Sequence, residues 1–314
     1  MHIIQFPHPG VEAKPANEHD NTIGWNNEAT HRRKFLKSKG KLVTLDNLGQ
    51  EQEIEHGSLS FWGEWEAQSH ITRLGVGMDG YLSNPRNPRF LNEPFLDISV
   101  ADRAHNTDPY IFGNKFRYAV CRQRHCRNIL PNLEAGSIIL FGSSIGEQFR
   151  LDTVFVVSNN IKSFTRRDIE DENSTKFDRK TQYFHASLKP ICGNTFNDND
   201  EGNAAAANDL NTFRFRYYEG AMFPEREQYN GMYSFVPCKR IENAGNLNEY
   251  AFVQPIINIE GIIQPLQNQG INSTIVYGLE GSFSVWQEVK KQVTAQGLLL
   301  GTWFATPPFV GNNR

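Results

Sequence analysis

A chain of 314 residues is long enough for one large domain or two ordinary ones, and 39% hydrophobic with 12% aromatic residues suits a packed globular protein. A net charge of −3 argues against a protein that grips long DNA through its phosphates, because counterion release then calls for a basic excess; a small ligand or a short nucleic-acid contact fits better. No apolar run nears the ~18 residues that cross a bilayer, and Met1 to Phe6 shows no basic segment leading into a long apolar one, so no membrane partner and a cytoplasmic placement are expected.

In chain order, Phe6-Pro7-His8-Pro9-Gly10 comes first. Prolines on both sides of a histidine exclude helix and predict a stiff, exposed loop, a suitable mount for a general acid or base, since imidazole titrates near neutrality. Trp25-Asn26-Asn27 offers a stacking ring beside amides that read a base edge. Thr30 to Lys39 predicts a short helix capped by Thr30 and stopped by Gly40. Within it, His31, Arg32, Arg33 and Lys34 join a titratable ring to two forks and a point charge that match phosphate oxygens; a solvated helix face is the plainer alternative.

Leu42 to Leu45 reads as a strand ending in a turn at Asp46-Asn47. Ser58 to Glu66 alternates, placing Leu59, Phe61, Gly63 and Trp65 on one face and Ser60, Trp62, Glu64 and Glu66 on the other. The two carboxylates on that second face suit an acid/base pair or ligands for a divalent Mg or Mn ion, with Trp62 stacking on a base or sugar. Asn106-Thr107-Asp108-Pro109 predicts an ordered turn with side chains bonded to backbone, which also presents Asn106 and Asp108 to a ligand.

The strongest β signal follows: strands at Lys115 to Cys121, Gly136 to Ser143 and Leu151 to Val157, the last two antiparallel through a turn at Ile145-Gly146-Glu147. Cys121 and Cys126 lack a second ligand pair for structural zinc and read as strand cysteines, so no metal ligands are assigned. Residues 165–208, charged and then rich in Asn, Asp and Ala, read as surface insertions or mobile loops. They divide a motif-rich amino-terminal lobe, 1–164, from a carboxy-terminal β-rich lobe, 209–314. In the second lobe, strands are predicted at Thr212 to Tyr218, Met232 to Val236 and Tyr250 to Ile257. An amphipathic helix over Phe283 to Gln296 carries Val285, Val289 and Val293, ends at Gly297, and is followed by an apolar strand, Leu298 to Phe304. The expected fold class is α+β, mostly antiparallel β with few helices.

FPHPG, WNN with HRRKFL, FWGEWE, NTDPYIFG with FRYAVCRQ, GSIILFGS and LDTVFVV together resemble a family of uncharacterised bacterial proteins over about the first 160 residues. That resemblance implies no catalytic residues, and a role in phage defence is a further expectation it motivates. The hairpin over 136–157 is also similar to the central strands of PUA-like domains (the group with ASCH and EVE modules), which implies a small RNA- or modified-base-binding barrel. Three readings follow. The first is a nucleotide- or nucleic-acid-directed hydrolase or transferase, with His8 or His31 as acid/base, Arg32 and Arg33 on phosphate, and Glu64 and Glu66 as base or metal ligands. The second is a non-catalytic reader of a modified base, with Trp25 and Trp62 stacking and Asn26, Asn106 or Asp108 reading the edge. The third is a structural or assembly protein in which these motifs stabilise loops.

Overall fold

Apolar side chains recur at every second position through the strong segments, and in the computed structural model they become strands of two seven-stranded sheets. The structure describes residues 1–10, 12–15, 22–23, 32–76, 80–100, 106–192, 212–265 and 270–310, with 22–23 and 100 described by backbone only. The first half contains β1 (His2–Pro9), β2 (Thr22–Ile23), β3 (Lys34–Leu45), β4 (Glu51–Gly63), β5 (Ser69–Arg73), β6 (Phe90–Pro94), β7 (Arg117–Tyr118), β8 (Ile138–Ile145) and β9 (Gln148–Phe164). After these come α1 (Arg166–Glu170), β10 (Phe215–Gly220), β11 (Val236–Arg240), β12 (Ile256–Ile257), β13 (Asn272–Ile275), α2 (Gly278–Ala295) and β14 (Leu299–Phe304).

The first sheet runs β13-β1-β8-β9-β10-β7, with β12 also on β9; the second runs β14-β11-β4-β3-β6-β5-β2. Among these pairings β1–β8 and β3–β6 are parallel and the rest antiparallel, so the protein is α+β and mostly antiparallel β, as its alternation predicts. The hairpin over 136–157 is present as β8 and β9 in the middle of the first sheet, turned by Gly146 and Glu147 at positive φ of 56° and 63°. A closed circuit of pairing occurs elsewhere: β14 bonds to both β11 and β3, which are joined through β4.

Both sheets take strands from both sides of the 165–208 segment, so the sheets do not follow the expected division into amino- and carboxy-terminal lobes. Within residues 165–192 the charged stretch 170–180 lies largely at the surface, but its flanks do not. Ile169, Tyr183, Phe184, Leu188 and Ile191 are buried in the same core cluster as Phe6 and Phe141. The charged residues between them had concealed that apolar spacing; 193–208 lies outside the described residues.

The helix expected over Thr30 to Lys39 is a strand from Lys34 onward. Phe35 points into the core cluster containing Trp62 and Leu140, and Leu36 into the one containing Phe61 and Phe141. A segment buried on both faces cannot be a surface helix, and roughly 1.5–3 kcal/mol per fully buried apolar side chain outweighs helix propensities below ~1 kcal/mol. The strand expected over Lys115 to Cys121 shortens to Arg117–Tyr118, because the chain enters turns from Val120 onward. In the carboxy-terminal half α2 begins five residues earlier than its apolar spacing implies, and Val285, Val289 and Val293 are its buried face.

Candidate functional site: a buried ionic centre

Alternation along β1 puts Ile4 and Phe6 in one core cluster, and His8 continues that face. Its ring stacks on Phe6 with centroids 4.8 Å apart, and it is only 4% exposed. The exposed loop expected for His8 is therefore a buried strand end. β13 pairs only His2 to Gln5, so Pro7 and Pro9 fall where no strand needs their missing N–H groups, and β8 pairs the other edge with His8 opposite Ser143.

The β3–β4 hairpin supplies the next two groups. Lys34 pairs with Gly63, which leaves Arg33 and Glu64 facing each other one step beyond. The Arg33 guanidinium donates from Nη1 to Glu64 Oε2 at 2.8 Å, and both side chains are 1% exposed. Glu64 Oε2 also lies 3.7 Å from His8 Nε2, and Glu64 Oε1 accepts the backbone N–H of Asp108 at 3.1 Å.

Asp152 arrives through a bulge. Phe141 pairs with Thr153 but Gly142 with Leu151, so Asp152 is the extra residue. Val154 and Val156 lie in the cluster away from His8, and so does Leu151, which strict alternation would put on the other face. The bulge thus reverses the alternation and turns Asp152 toward the His8 side. Gly142 permits it: a Cβ there would sit 2.1 Å from the Arg150 carbonyl oxygen. Arg33 Nε then stands 3.3 Å from Asp152 Oδ2, an ion pair outside hydrogen-bond geometry, while Gln254 donates to Asp152 Oδ1 at 2.7 Å.

Asp108 holds the centre's other flank, and here the expected turn with side chains bonded to backbone is present. Its carboxylate accepts the N–H groups of Ala119, Val120 and Cys121, the last two at 2.6 and 2.7 Å, and Thr107 Oγ1 accepts from Glu66 N. That grip places the Cys121 sulfur 3.6 Å from His8 Nε2.

Burial sets the protonation states. It works against the Arg33 charge, but Glu64 and Asp152 outweigh it and hold Arg33 above its ordinary value, so it is a permanent cation. Burial lifts Asp108 to about 7 against its three backbone bonds, and Asp152 to about 6 against Arg33 and Gln254. Lys34, fully buried and donating to the Ala67 carbonyl at 2.9 Å, is lowered to about 8 by burial, with Glu66 opposing. The Cys121 thiol is pushed well up by burial, then by Glu64 and Asp108, so it stays protonated and is no activated nucleophile. Proton chemistry near neutrality is what the arrangement supports at the Asp108 and Asp152 carboxyls rather than at sulfur.

Of the residues singled out by sequence, the fold brings His8, Arg33, Glu64 and Asp108 together. Glu66 is buried beside them, its charge acting on Arg33 and Lys34. β4 stops at Gly63, and beyond it both carboxylates turn inward and are buried. Nor do they suit a divalent ion. Glu64 spends one oxygen on a guanidinium and the other on an amide, and among the described residues no group of three or more ligating side chains is found. Trp62 is no stacking platform: it is buried between Phe35 and Phe252, with its N–H donated to the Phe252 carbonyl. Asp108 cannot present its carboxylate to a base, since three backbone amides occupy it. Asn106 is buried, and its Nδ2 finds no hydrogen-bond partner among the described residues. Arg32 is half-buried next to the centre, and Trp25, Asn26 and His31 lie outside the described residues.

No family model, curated protein or solved structure matches the chain. Among the described residues no helix is long and apolar enough to cross a membrane.

Sequence reasoning missed Asp152, Cys121 and Gln254. Asp152 had a signal: a lone carboxylate inside the apolar run LDTVFVV, following a glycine in the preceding strand. An acid there must face either solvent or a counterion, and Arg33 is the counterion.

Proposed function

We propose that the protein is an enzyme directed at a nucleotide or short nucleic acid, placed in the cytoplasm, with His8 and Glu64 as its proton-transfer pair and Arg33 as the fixed positive charge. The observation that carries this reading is the convergence of His8, Arg33 and Glu64 from three separate strand ends, with Asp152 added by a bulge. Buried ion pairs contribute little net stability compared with apolar packing, so a centre of this kind is a functional candidate on physical grounds. His8 exchanges a proton with substrate, Glu64 supports its charged form across 3.7 Å, and Arg33 meets negative charge that develops on a phosphoryl or carbonyl oxygen. The substrate class rests on the sequence: no basic excess for long DNA, and Arg32 and Arg33 beside the stacking and amide residues Trp25 and Asn26.

A structural role is the second reading. It is favoured by the enclosure of the cluster and by the mutual pairing of its charges. Incubation with mononucleotides, cyclic nucleotides, NAD and short oligonucleotides, followed by mass spectrometry, separates the two. The enzyme reading expects a product from at least one, formed on the order of 100-fold more slowly by His8→Gln. No product from any of them, or equal rates in the variant, leaves the structural reading in its place.

A further inference from the structure

A second polar feature lies on the far side of the Asp108 turn. Pro109 and Tyr110 continue from Asp108 into a pocket of about 310 Å³. Tyr110, Tyr183 and Tyr217 contribute its aromatic wall, and Arg117, Lys162 and Lys176 its cations. Among the described residues the only carboxylate lining it is Asp178, and Glu219 stands behind Tyr217, accepting its hydroxyl at 2.9 Å.

The cations are not spent on acids in the usual way. Arg117 lies over the Tyr183 ring at 5.0 Å and the Tyr110 ring at 5.9 Å. Its nitrogens donate to the Tyr217 hydroxyl at 3.2 Å and to the carbonyls of Lys115 and Phe112, so among the described residues it has contacts with rings, a phenol and carbonyls but no carboxylate pair. Lys162 is exposed, with its ammonium 5.8 Å from the centre of the Tyr217 ring. Lys176 alone has an acid partner, Asp168 at 2.8 Å. A guanidinium anchored through Nε and Nη1 beside two rings is pre-oriented, and its orientation was set during folding rather than on binding. The hydroxyls of Tyr110 and Tyr183, both on nine-tenths-buried side chains, find no hydrogen-bond partner among the described residues. Gly113 at the rim has φ of +81°, and a Cβ there would come within 3.1 Å of the Thr306 hydroxyl, so the bend that opens this edge requires glycine.

We infer that this pocket binds an anion carrying a planar ring, of the chemical class of a nucleoside monophosphate, with the phosphate at Arg117 and Lys162 and the ring against the tyrosines. A phosphate group matches the guanidinium fork and a neighbouring ammonium. A flat ring gains by packing on an aromatic lining, and Phe177 is a ring of that lining that is only half-buried. The inference goes beyond the proton-transfer reading, because it concerns different side chains and is read by binding alone.

The test is isothermal titration of the full chain with adenosine 5′-monophosphate, inorganic phosphate and adenosine. The inference expects the monophosphate to bind more tightly than either fragment, with Lys162→Ala weakening it about tenfold, the loss of one charge-assisted contact. Arg117→Lys is expected to weaken it at least as much, because the ammonium cannot reproduce the stacked fork. Lys291→Ala, which removes an exposed cation of α2 that lines neither site, is the control and binds as the wild type does; because the readout is binding and not turnover, a failure of the buried centre and a failure of this pocket are told apart. Absence of heat with the monophosphate at millimolar concentration, affinity no better than for phosphate alone, or an affinity that Lys162→Ala leaves unchanged each overturns the inference.

Discussion

The buried centre and the Arg117 pocket are separated by a single turn, Asp108 to Tyr110, and use the same residue types in opposite ways. In the centre, Arg33 is matched by two carboxylates and shut away from water; in the pocket, Arg117 is matched by rings and carbonyls and its carboxylate-free charge faces a cavity. The difference teaches that an arginine's partners, more than its type, state what it is for. Paired carboxylates fix protonation states and local electrostatics, whereas a guanidinium among rings, a phenol and carbonyls keeps its positive charge for an incoming anion. Asp108 links the two: its carboxylate positions Cys121 beside His8, and its charge also raises the Tyr183 hydroxyl across the turn, after the larger effects of burial and Tyr217.

That contrast is broken most severely at Arg33. Arg33→Ala leaves Glu64 and Asp152 buried without their cation, and a loss of about 3–5 kcal/mol in unfolding free energy is expected from urea titration. A loss below about 1 kcal/mol would show that the carboxylates do not depend on it. Gly142→Ala comes next. The added methyl meets the Arg150 carbonyl, the bulge that aims Asp152 is strained, and about 1–3 kcal/mol is expected to go.

Acidity sharpens the contrast, because only the enclosed side has strongly displaced carboxyls. Asp108, Asp152 and Glu12 bind protons in the folded protein up to about 7, 6 and 7, well above their ordinary values of 3.8, 3.8 and 4.5. Across about pH 5 to 7 the unfolded chain therefore holds fewer protons at these groups than the folded one, and stability falls as pH rises. His185, lowered by burial, opposes this as a single half-buried group. Lys34 has the other sign. Lowered to about 8 from 10.5, it loses its proton in the folded protein first, but the four thiols raised by burial keep theirs in the folded protein above pH 9 and work against it. Urea midpoints are expected to fall as pH rises from about 5 to 7; a rise over that range contradicts these burial assignments. The smallest effect is on the open side, where Lys162→Ala is expected to change stability by no more than about 0.5 kcal/mol.

Much of the fold was legible because burial leaves a period in the sequence. Val285, Val289 and Val293 announced α2, and the glycine-bounded run from Gly136 with LDTVFVV announced the β8–β9 hairpin. The helix expected at HRRKFLKSK was the main misreading. Its charges suggested a solvated face, whereas Arg33 and Lys34 are buried and Phe35 and Leu36 feed two different cores. The candidate site was half legible. His8, Arg33, Glu64 and Asp108 stood out by residue type, but their convergence depends on register, on Lys34 opposite Gly63 and on the bulge at Gly142. Neither leaves a mark in composition. Arg117 and Tyr183 were invisible for the same reason: 66 residues separate them in sequence, and only the packed fold lays one over the other.

The most direct test of the central claim, that His8 with Arg33 and Glu64 forms a proton-transfer centre and no mere internal tether, is to measure unfolding free energy and nucleotide turnover on the same preparation of His8→Gln. The account predicts a folded protein within about 2 kcal/mol of the wild type whose turnover is down on the order of 100-fold. A variant that loses stability while turnover per folded molecule is unchanged would contradict it and make the ionic centre a structural device.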